Sequence, residues 1–174
     1  GKFVKKDVLP LSRFNDQWDK ALRWKKDHPL YNLPELIKTT KKVVVFEGEK
    51  TTESGIKLLP DYCPTTYSGG HKSWKTTDWK TLKGREVIFF PDNERKAIFE
   101  FNKIAHYLIS ELKCDAKLVQ LPEGLPTNWD VADRFPFEID LVELIESANV
   151  PEELSSFVDL KADIKSKRWV HIGD

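Results

Sequence analysis

The stretch that decides the fold is REVIFFPDNERKA, residues 85–97, in which four apolar residues lead into Pro91 and then into acidic residues. A short apolar run that ends in turn residues is typical of a strand buried on both faces. The stretch KKVVVFEGEK, residues 41–50, has the same form and leaves its apolar run at Glu47 and Gly48. The two stretches therefore predict two buried strands, each followed by acidic residues.

The rest of the pattern alternates strands with helices. YCPTTYS, residues 62–68, predicts a shorter strand, and AKLVQLP, residues 116–122, predicts a fourth. Helical spacing of apolar residues occurs in residues 94–113 and again in 137–148, and a short helix with Thr51 or Thr52 as its N-cap follows the first strand. This alternation predicts an α/β fold with a mainly parallel four-stranded sheet and helices on both faces.

The N-terminal region differs from the rest in charge. Residues 1–42 carry 11 Lys and Arg against 5 Asp and Glu, and their segment 12–27 places Phe14 and Trp18 on one face of a predicted helix. We therefore expect a basic helical N-terminal extension over residues 1–42.

The C-terminal region is acidic. Residues 122–164 carry 2 Lys and Arg against 11 Asp and Glu, so the chain has opposite charges at its two ends. Two solvated faces would explain this segregation, and so would a basic surface for a polyanion together with an acidic surface for a metal or a partner. The central domain is predicted over residues 43–135, with a C-terminal helix and tail over 136–174.

Acidic residues follow three of the four predicted strands. Because parallel strands end at one edge of a sheet, we expect these carboxylates to converge there. Converged carboxylates repel one another unless a cation lies between them, and oxygen ligands without thiolate or imidazole suit Mg²⁺ or Mn²⁺. The candidate metal ligands are Glu47, Asp92, Glu94, Asp130 and Asp133.

Several segments resemble a known family. These segments are PLYNLPEL, VVVFEGEK, YSGGHKSW, IFFPDNE and LPEGLPTNWDVADRF. They are similar to segments of the Toprim domain, and above all of the primase-like Toprim domains in phage, plasmid and other mobile-element replication proteins. The likeness covers residues 29–135. It implies a Rossmann-like Toprim fold for this part of the chain.

The resemblance also implies roles for individual residues. Glu47 matches the family's glutamate, a candidate general acid or base, and Gly48 matches the glycine that lets the backbone turn beside it. Asp92 matches the first aspartate of a D-x-D pair that holds Mg²⁺, which makes Glu47 and Asp92 the candidate catalytic residues. Glu94 stands where the family has the second aspartate, and this is the point at which the chain departs from the pattern.

Cations and glycines near the acids complete the predicted site. Nucleotidyl transfer needs positive charges that orient phosphates, and the candidates for nucleotide and nucleic-acid binding are Lys50, His71, Lys72, Arg95 and Lys96. Gly69 and Gly70 precede two of these cations. They predict either a turn with positive φ or a close approach of nucleic acid to the backbone.

The function that the resemblance implies is that of the catalytic domain of a DNA primase. Such a domain would use Mg²⁺ or Mn²⁺ to join nucleoside triphosphates into primers on single-stranded DNA during replication, in the cytoplasm and without a membrane. A helicase domain on the same longer chain would be a natural partner. Two alternatives stay open: a non-catalytic module that binds nucleic acid or a partner through a degraded metal site, and a Toprim nuclease.

Overall fold

The computed structural model describes residues 12–14, 16–19, 26–69 and 73–152. Within these residues the chain forms six strands and four α-helices, together with 3-10 turns at Ser73–Thr76 and Lys80–Leu82. In chain order the elements are β1 (Ser12–Phe14), β2 (Gln17–Asp19), α1 (Leu33–Lys38), β3 (Val43–Val45), α2 (Glu49–Leu58), β4 (Cys63–Thr65), β5 (Glu86–Phe89), α3 (Arg95–Leu112), β6 (Asp115–Leu118) and α4 (Leu141–Glu146).

The central sheet has four strands in the order β4-β3-β5-β6, and every neighbouring pair is parallel. Val43 pairs with Cys63 on one side and with Val87 on the other, and Phe89 pairs with Leu118. All three residues of β3 are fully buried, as expected for a strand covered on both faces. The predicted parallel four-stranded α/β sheet is confirmed.

Helices cover both faces of this sheet, as predicted. On one face, α1 and α3 pack against alternate strand residues, and the ring of Phe101 in α3 lies 5.0 Å from that of Phe89. On the other face, α2 and α4 pack around Phe46 and Phe90, whose rings are 5.5 Å apart. Helix α2 approaches closely because Gly55 has no side chain: a Cβ there would lie 2.5 Å from the ring of Phe46.

The predicted helix over residues 12–27 is wrong for the part that the structure describes. Strands β1 and β2 form an antiparallel pair in which Phe14 is opposite Gln17, so only two residues connect them. One of these, Asp16, has a φ of 61°, a left-handed conformation that Asp tolerates in tight hairpin turns. The four-residue spacing of Phe14 and Trp18 suits a helix, but the turn between them makes a hairpin. Residues 20–25 lie outside the described residues.

Two helices also differ from their predicted bounds. Helix α2 begins at Glu49 with Gly48 as its N-cap, so Thr51 and Thr52 are buried within the first turn instead of capping it. Helix α4 has only six residues, and it begins where the Asp140 side chain accepts hydrogen bonds from the N–H groups of Val142 and Glu143.

After α4 the chain returns to the sheet edge. Asn149 forms two backbone hydrogen bonds with Leu118 beside β6, at 2.8 and 3.0 Å. The N–H of Glu152 then donates to Oδ1 of the buried Asn102 in α3 at 2.8 Å. Within the described residues, no helix is long and apolar enough to cross a membrane.

Candidate functional site

The candidate site lies where the chain leaves β3 and β5. These strands are neighbours, and the chain goes from β3 to β4 on one side and then crosses β3 to reach β5 on the other. Ligands of open parallel sheets bind at such a switch point, beyond the carboxyl ends of the strands. Glu47 follows β3 by two residues and Asp92 follows β5 by three, so both stand at this point.

Glu47 and Asp92, which we call the acid pair, interact directly. Burial, followed by a hydrogen bond to Glu47 and the charge of Glu47, raises the pKa of Asp92 to about 8. Burial also raises the pKa of Glu47, while its hydrogen bond with Asp92 acts in the opposite direction. One proton shared between the two groups, held by Asp92, explains both effects.

One carboxylate oxygen of Asp92 is a buried acceptor. Oδ1 is buried, and among the described residues no hydrogen-bond partner reaches it. A buried carboxylate oxygen without a donor costs free energy, which a proton or a bound cation would offset. The buried Oδ1 of Asp92 therefore favours the binding of a cation at the acid pair.

Two further predicted acids act on this pair. The charges of Glu94 and Asp130 both raise the pKa of Asp92, and that of Glu94 also raises the pKa of Glu47. Glu94 is the N-cap residue of α3, yet its side chain makes no capping hydrogen bond. Four of the five predicted carboxylates therefore influence one another at the edge of the sheet.

The fifth, Asp133, belongs to a turn with Asp130, which we call the acid turn (residues 130–133). Its Oδ2 accepts a hydrogen bond from the N–H of Asp130 at 3.2 Å, and Asp130 Oδ1 accepts one from Ala132 at 2.6 Å. Lys50 Nζ lies 3.5 Å from Asp130 and 3.4 Å from Asp133. The acid turn thus has donors and a cation of its own.

Lys50 differs from the other predicted cations in the acids that it contacts. It projects from the first turn of α2 and pairs with acids of the acid turn, and its side chain is 68% exposed. Lys96 lies near the acid pair, since its charge lowers the pKa of Glu47. Lys96 and Arg95 are exposed at the start of α3, where the helix dipole is also positive. His71 and Lys72 lie outside the described residues.

The glycines fall into two cases. Gly69 has a φ of 89°, and a Cβ there would lie 2.4 Å from Ser73 Oγ, so the predicted positive-φ turn is confirmed for this residue. Gly48 has an ordinary extended backbone with φ −146°, and a Cβ on it would meet nothing within 4 Å. The fold therefore does not by itself require glycine at position 48. Gly70 lies outside the described residues.

Sequence reasoning missed two residues near the acids. Tyr67, just beyond β4, is buried, and burial followed by the charges of Glu47, Glu100 and Asp92 raises its pKa. Its hydroxyl is therefore a neutral donor beside carboxylates. Asn93 joins two loops, because its side chain donates hydrogen bonds to Leu125 O and Pro126 O. An asparagine in an acidic turn gives no sequence signal that separates it from an ordinary turn residue.

The residue types suit a hard divalent cation, but the metal-binding geometry is incomplete. Among the described residues, no group of three or more His, Cys, Asp or Glu lies close enough together to hold a metal ion. The acid pair supplies two carboxylates, one of them with the buried oxygen that lacks a donor. The pair alone is therefore a candidate for binding Mg²⁺ or Mn²⁺ together with water and a phosphate group.

The fold and the site define a class: an α/β protein with a parallel sheet and a carboxylate pair at its switch point. No family model and no curated protein sequence matches the chain.

Proposed function

We propose that this chain is a Toprim-type domain that carries out metal-dependent nucleotidyl transfer, as in a DNA primase that makes primers on single-stranded DNA. The observation that carries the proposal is the acid pair at the switch point, with the buried Asp92 oxygen that lacks a donor. The resemblance of VVVFEGEK, IFFPDNE and NWDVAD to Toprim segments supports it, because Glu47 and Asp130 of two of these segments both act on the pKa of Asp92 in the third.

In this proposal Glu47 would accept the proton of the attacking 3′-hydroxyl, and Asp92 would hold the divalent ion with help from the charges of Glu94 and Asp130. When bound, Mg²⁺ or Mn²⁺ supplies positive charge that stabilises the negative charge developing on the transferred phosphoryl group. A base beside a cation-binding carboxylate needs a pKa near the working pH, and burial raises the pKa of Glu47 in that direction.

The cations at the start of α3 would orient the triphosphate. Arg95 and Lys96 are exposed there, and the first turn of the helix contains no acid to compensate them. Basic residues at a helix N-terminus oppose the helix dipole and cost free energy, so this arrangement favours an anionic ligand. Phosphate oxygens of a nucleotide or of the template backbone have the required charge.

Metal titration followed by thermal unfolding tests the proposal. At free Mn²⁺ a hundred times above its dissociation constant, we expect about 2.7 kcal/mol of stabilisation, or roughly 5–10 °C in Tm for a chain of this size. Glu47→Gln and Asp92→Asn should reduce or abolish the shift. Primer synthesis from nucleoside triphosphates on single-stranded DNA should then depend on both residues. A wild-type chain whose Tm does not respond to Mn²⁺ or Mg²⁺ would contradict the proposal.

A second candidate is a nucleic-acid-binding module of the same fold without catalysis. Two observations favour it: the absence of a three-ligand metal group among the described residues, and the pairing of Lys50 with Asp130 and Asp133. This candidate predicts binding of single-stranded DNA that is insensitive to EDTA and to Asp92→Asn. The nucleotidyl-transfer proposal predicts that both treatments weaken binding of nucleoside triphosphates.

A further inference from the structure

Asn93 stands between the two acids Asp92 and Glu94, and it joins their loop to a second one. Its side-chain Nδ2 donates to the carbonyl oxygens of Leu125 and Pro126, each at 2.9 Å. Its backbone N–H donates to Trp129 O at 2.8 Å, and its carbonyl accepts from the N–H of Asn128 at 3.0 Å. Four hydrogen bonds thus connect one residue to a segment more than thirty positions away.

That second loop leads directly into the acid turn. Trp129, the residue before Asp130, is buried and donates its Nε1–H to Arg134 O at 3.2 Å. Leu125 is buried at the start of the loop, and Asn128 has a φ of 61°. Neither helix nor strand holds the segment between β6 and α4 in place, so its position depends on contacts of this kind.

Two acids of the candidate site are sequence neighbours of the residues that form these hydrogen bonds. Asp92 precedes Asn93, and Asp130 follows Trp129, whose carbonyl accepts the N–H of Asn93. The backbone and amide side chain of Asn93 therefore hold the loop that carries Asp92 against the loop that carries Asp130.

We propose that Asn93 is a positioning residue, which holds Asp130 beside the acid pair so that its charge strengthens the binding of a divalent cation at that pair. The proposal rests on the function proposed above. The amide group is required because both of its partners are carbonyl oxygens, which need donors. Aspartate, the isosteric acid, would place an oxygen that only accepts where the amide Nδ2 donates to both carbonyls.

Three substitutions separate positioning from charge. Asn93→Ala removes both side-chain bonds and should weaken Mn²⁺ binding by about tenfold, the lower end of the range for residues that support metal ligands. Asn93→Asp adds a negative charge beside the site, so charge alone would tighten Mn²⁺ binding, whereas loss of positioning weakens it. Asn93→Ser keeps one donor and should give an intermediate affinity, which also covers the case that the alanine variant does not fold.

A matched control comes from Asn102, a buried asparagine of α3 that also joins two segments, through Ile98 O and the N–H of Glu152. Asn102→Ala should lower Tm but leave the Mn²⁺ affinity of the folded protein within about twofold, because neither of its partners carries a candidate ligand. A variant of Asn93 that lowers Tm alone would behave like this control.

A double-mutant cycle with Asp130→Asn gives the decisive result. If Asn93 acts by placing Asp130, Asn93→Ser should weaken Mn²⁺ binding much less in the Asp130→Asn background than in the wild-type chain. Isothermal titration with Mn²⁺ alone measures all four affinities. Equal effects of Asn93→Ser in both backgrounds, or tighter binding in Asn93→Asp, would overturn the inference while leaving the proposed function standing. Failure of the wild-type chain to bind Mn²⁺ would instead overturn the proposed function, and the inference with it.

Discussion

The acid pair and the acid turn lie at the same edge of the sheet but differ in what surrounds their carboxylates. At the acid pair, Asp92 is partly buried, its Oδ1 lacks a donor among the described residues, and its pKa is raised to about 8. At the acid turn, two backbone N–H groups and Lys50 compensate Asp130 and Asp133.

The acids that follow neighbouring strands are therefore not equivalent ligands. A compensated carboxylate gains little from a cation, because the cation must displace partners that are already present. A carboxylate that is desolvated and close to another acid gains much more. The acid pair is therefore the part of the edge at which a cation would have the largest effect.

The largest effect is expected from Asp92→Asn. This substitution removes the unfavourable buried charge, so at pH 8.5 it should raise the Tm of the metal-free protein by a few degrees and abolish stabilisation by Mn²⁺. Thermal unfolding with and without Mn²⁺ measures both changes. Asp115→Asn is the control, since Asp115 is an exposed acid at the opposite end of β6 and pairs with Lys117 at 3.5 Å. A wild-type response to Mn²⁺ in Asp92→Asn would mean that the acid pair is not the cation site.

The pH dependence of the free energy of unfolding tests the raised pKa of Asp92 in the wild-type protein. Asp92 has a pKa of 3.8 when unfolded and about 8 when folded, so the folded state binds more protons between these values. The stability that this proton contributes is fully present below the unfolded pKa, and it is lost as pH rises through the folded pKa.

Urea unfolding at pH 5, 6.5 and 8 should therefore give a free energy of unfolding that decreases with pH, with a slope of at most about 1.4 kcal/mol per pH unit from this group. The decrease should be smaller in Asp92→Asn and in the presence of Mn²⁺. A slope that is the same in the wild type and in Asp92→Asn would show that Asp92 is ionised across this range.

A smaller effect should distinguish the two members of the acid turn. Asp130 lies close enough to raise the pKa of Asp92, whereas Asp133 is not among the causes of that shift. We therefore expect Asp130→Asn to weaken Mn²⁺ binding by about tenfold and Asp133→Asn by less than about twofold. Isothermal titration measures both, and asparagine keeps the oxygen that accepts the backbone hydrogen bond in each case. The reverse order would move the cation toward the acid turn.

The smallest effect is expected from Lys50→Ala. Exposed ion pairs contribute little and are screened by salt, so Tm should fall by no more than about 2 °C at low salt and by less at 0.5 M NaCl. Lys57→Ala on the same helix is the control, because Lys57 is exposed and forms no ion pair among the described residues. A loss much larger than this in Lys50→Ala alone would mean that Lys50 holds the acid turn in place.

Prediction from the sequence was most successful where one segment is enough to determine structure. The apolar runs at Val43–Phe46 and Val87–Phe90 become the two central strands, and α3 occupies Arg95–Leu112 within the predicted residues 94–113. The apolar residues of α3 keep a regular helical spacing along a long segment. Packing against neighbouring elements therefore stabilises the same helix that the local sequence favours.

Prediction failed where short segments allow two structures. Residues 12–19 have apolar spacing that fits a helix, but the two-residue connection containing Asp16 forms a hairpin. The predicted start of α2 lies three or four residues too late, because Thr51 and Thr52 are good N-cap residues by type yet are buried within the helix. In both cases the local preference is a fraction of a kcal/mol to about 1 kcal/mol, which tertiary packing readily exceeds.

The sequence by itself determined that parallel strands would end in acids at one edge, because hydrophobic runs and the residues behind them are local features. Only the tertiary structure decided which of those acids are compensated. Lys50 and Asp133 are 83 positions apart, and Asn93 reaches Leu125 across 32. A carboxylate's pKa depends on burial and on charges a few ångströms away, and such distances exist only once distant segments have packed together.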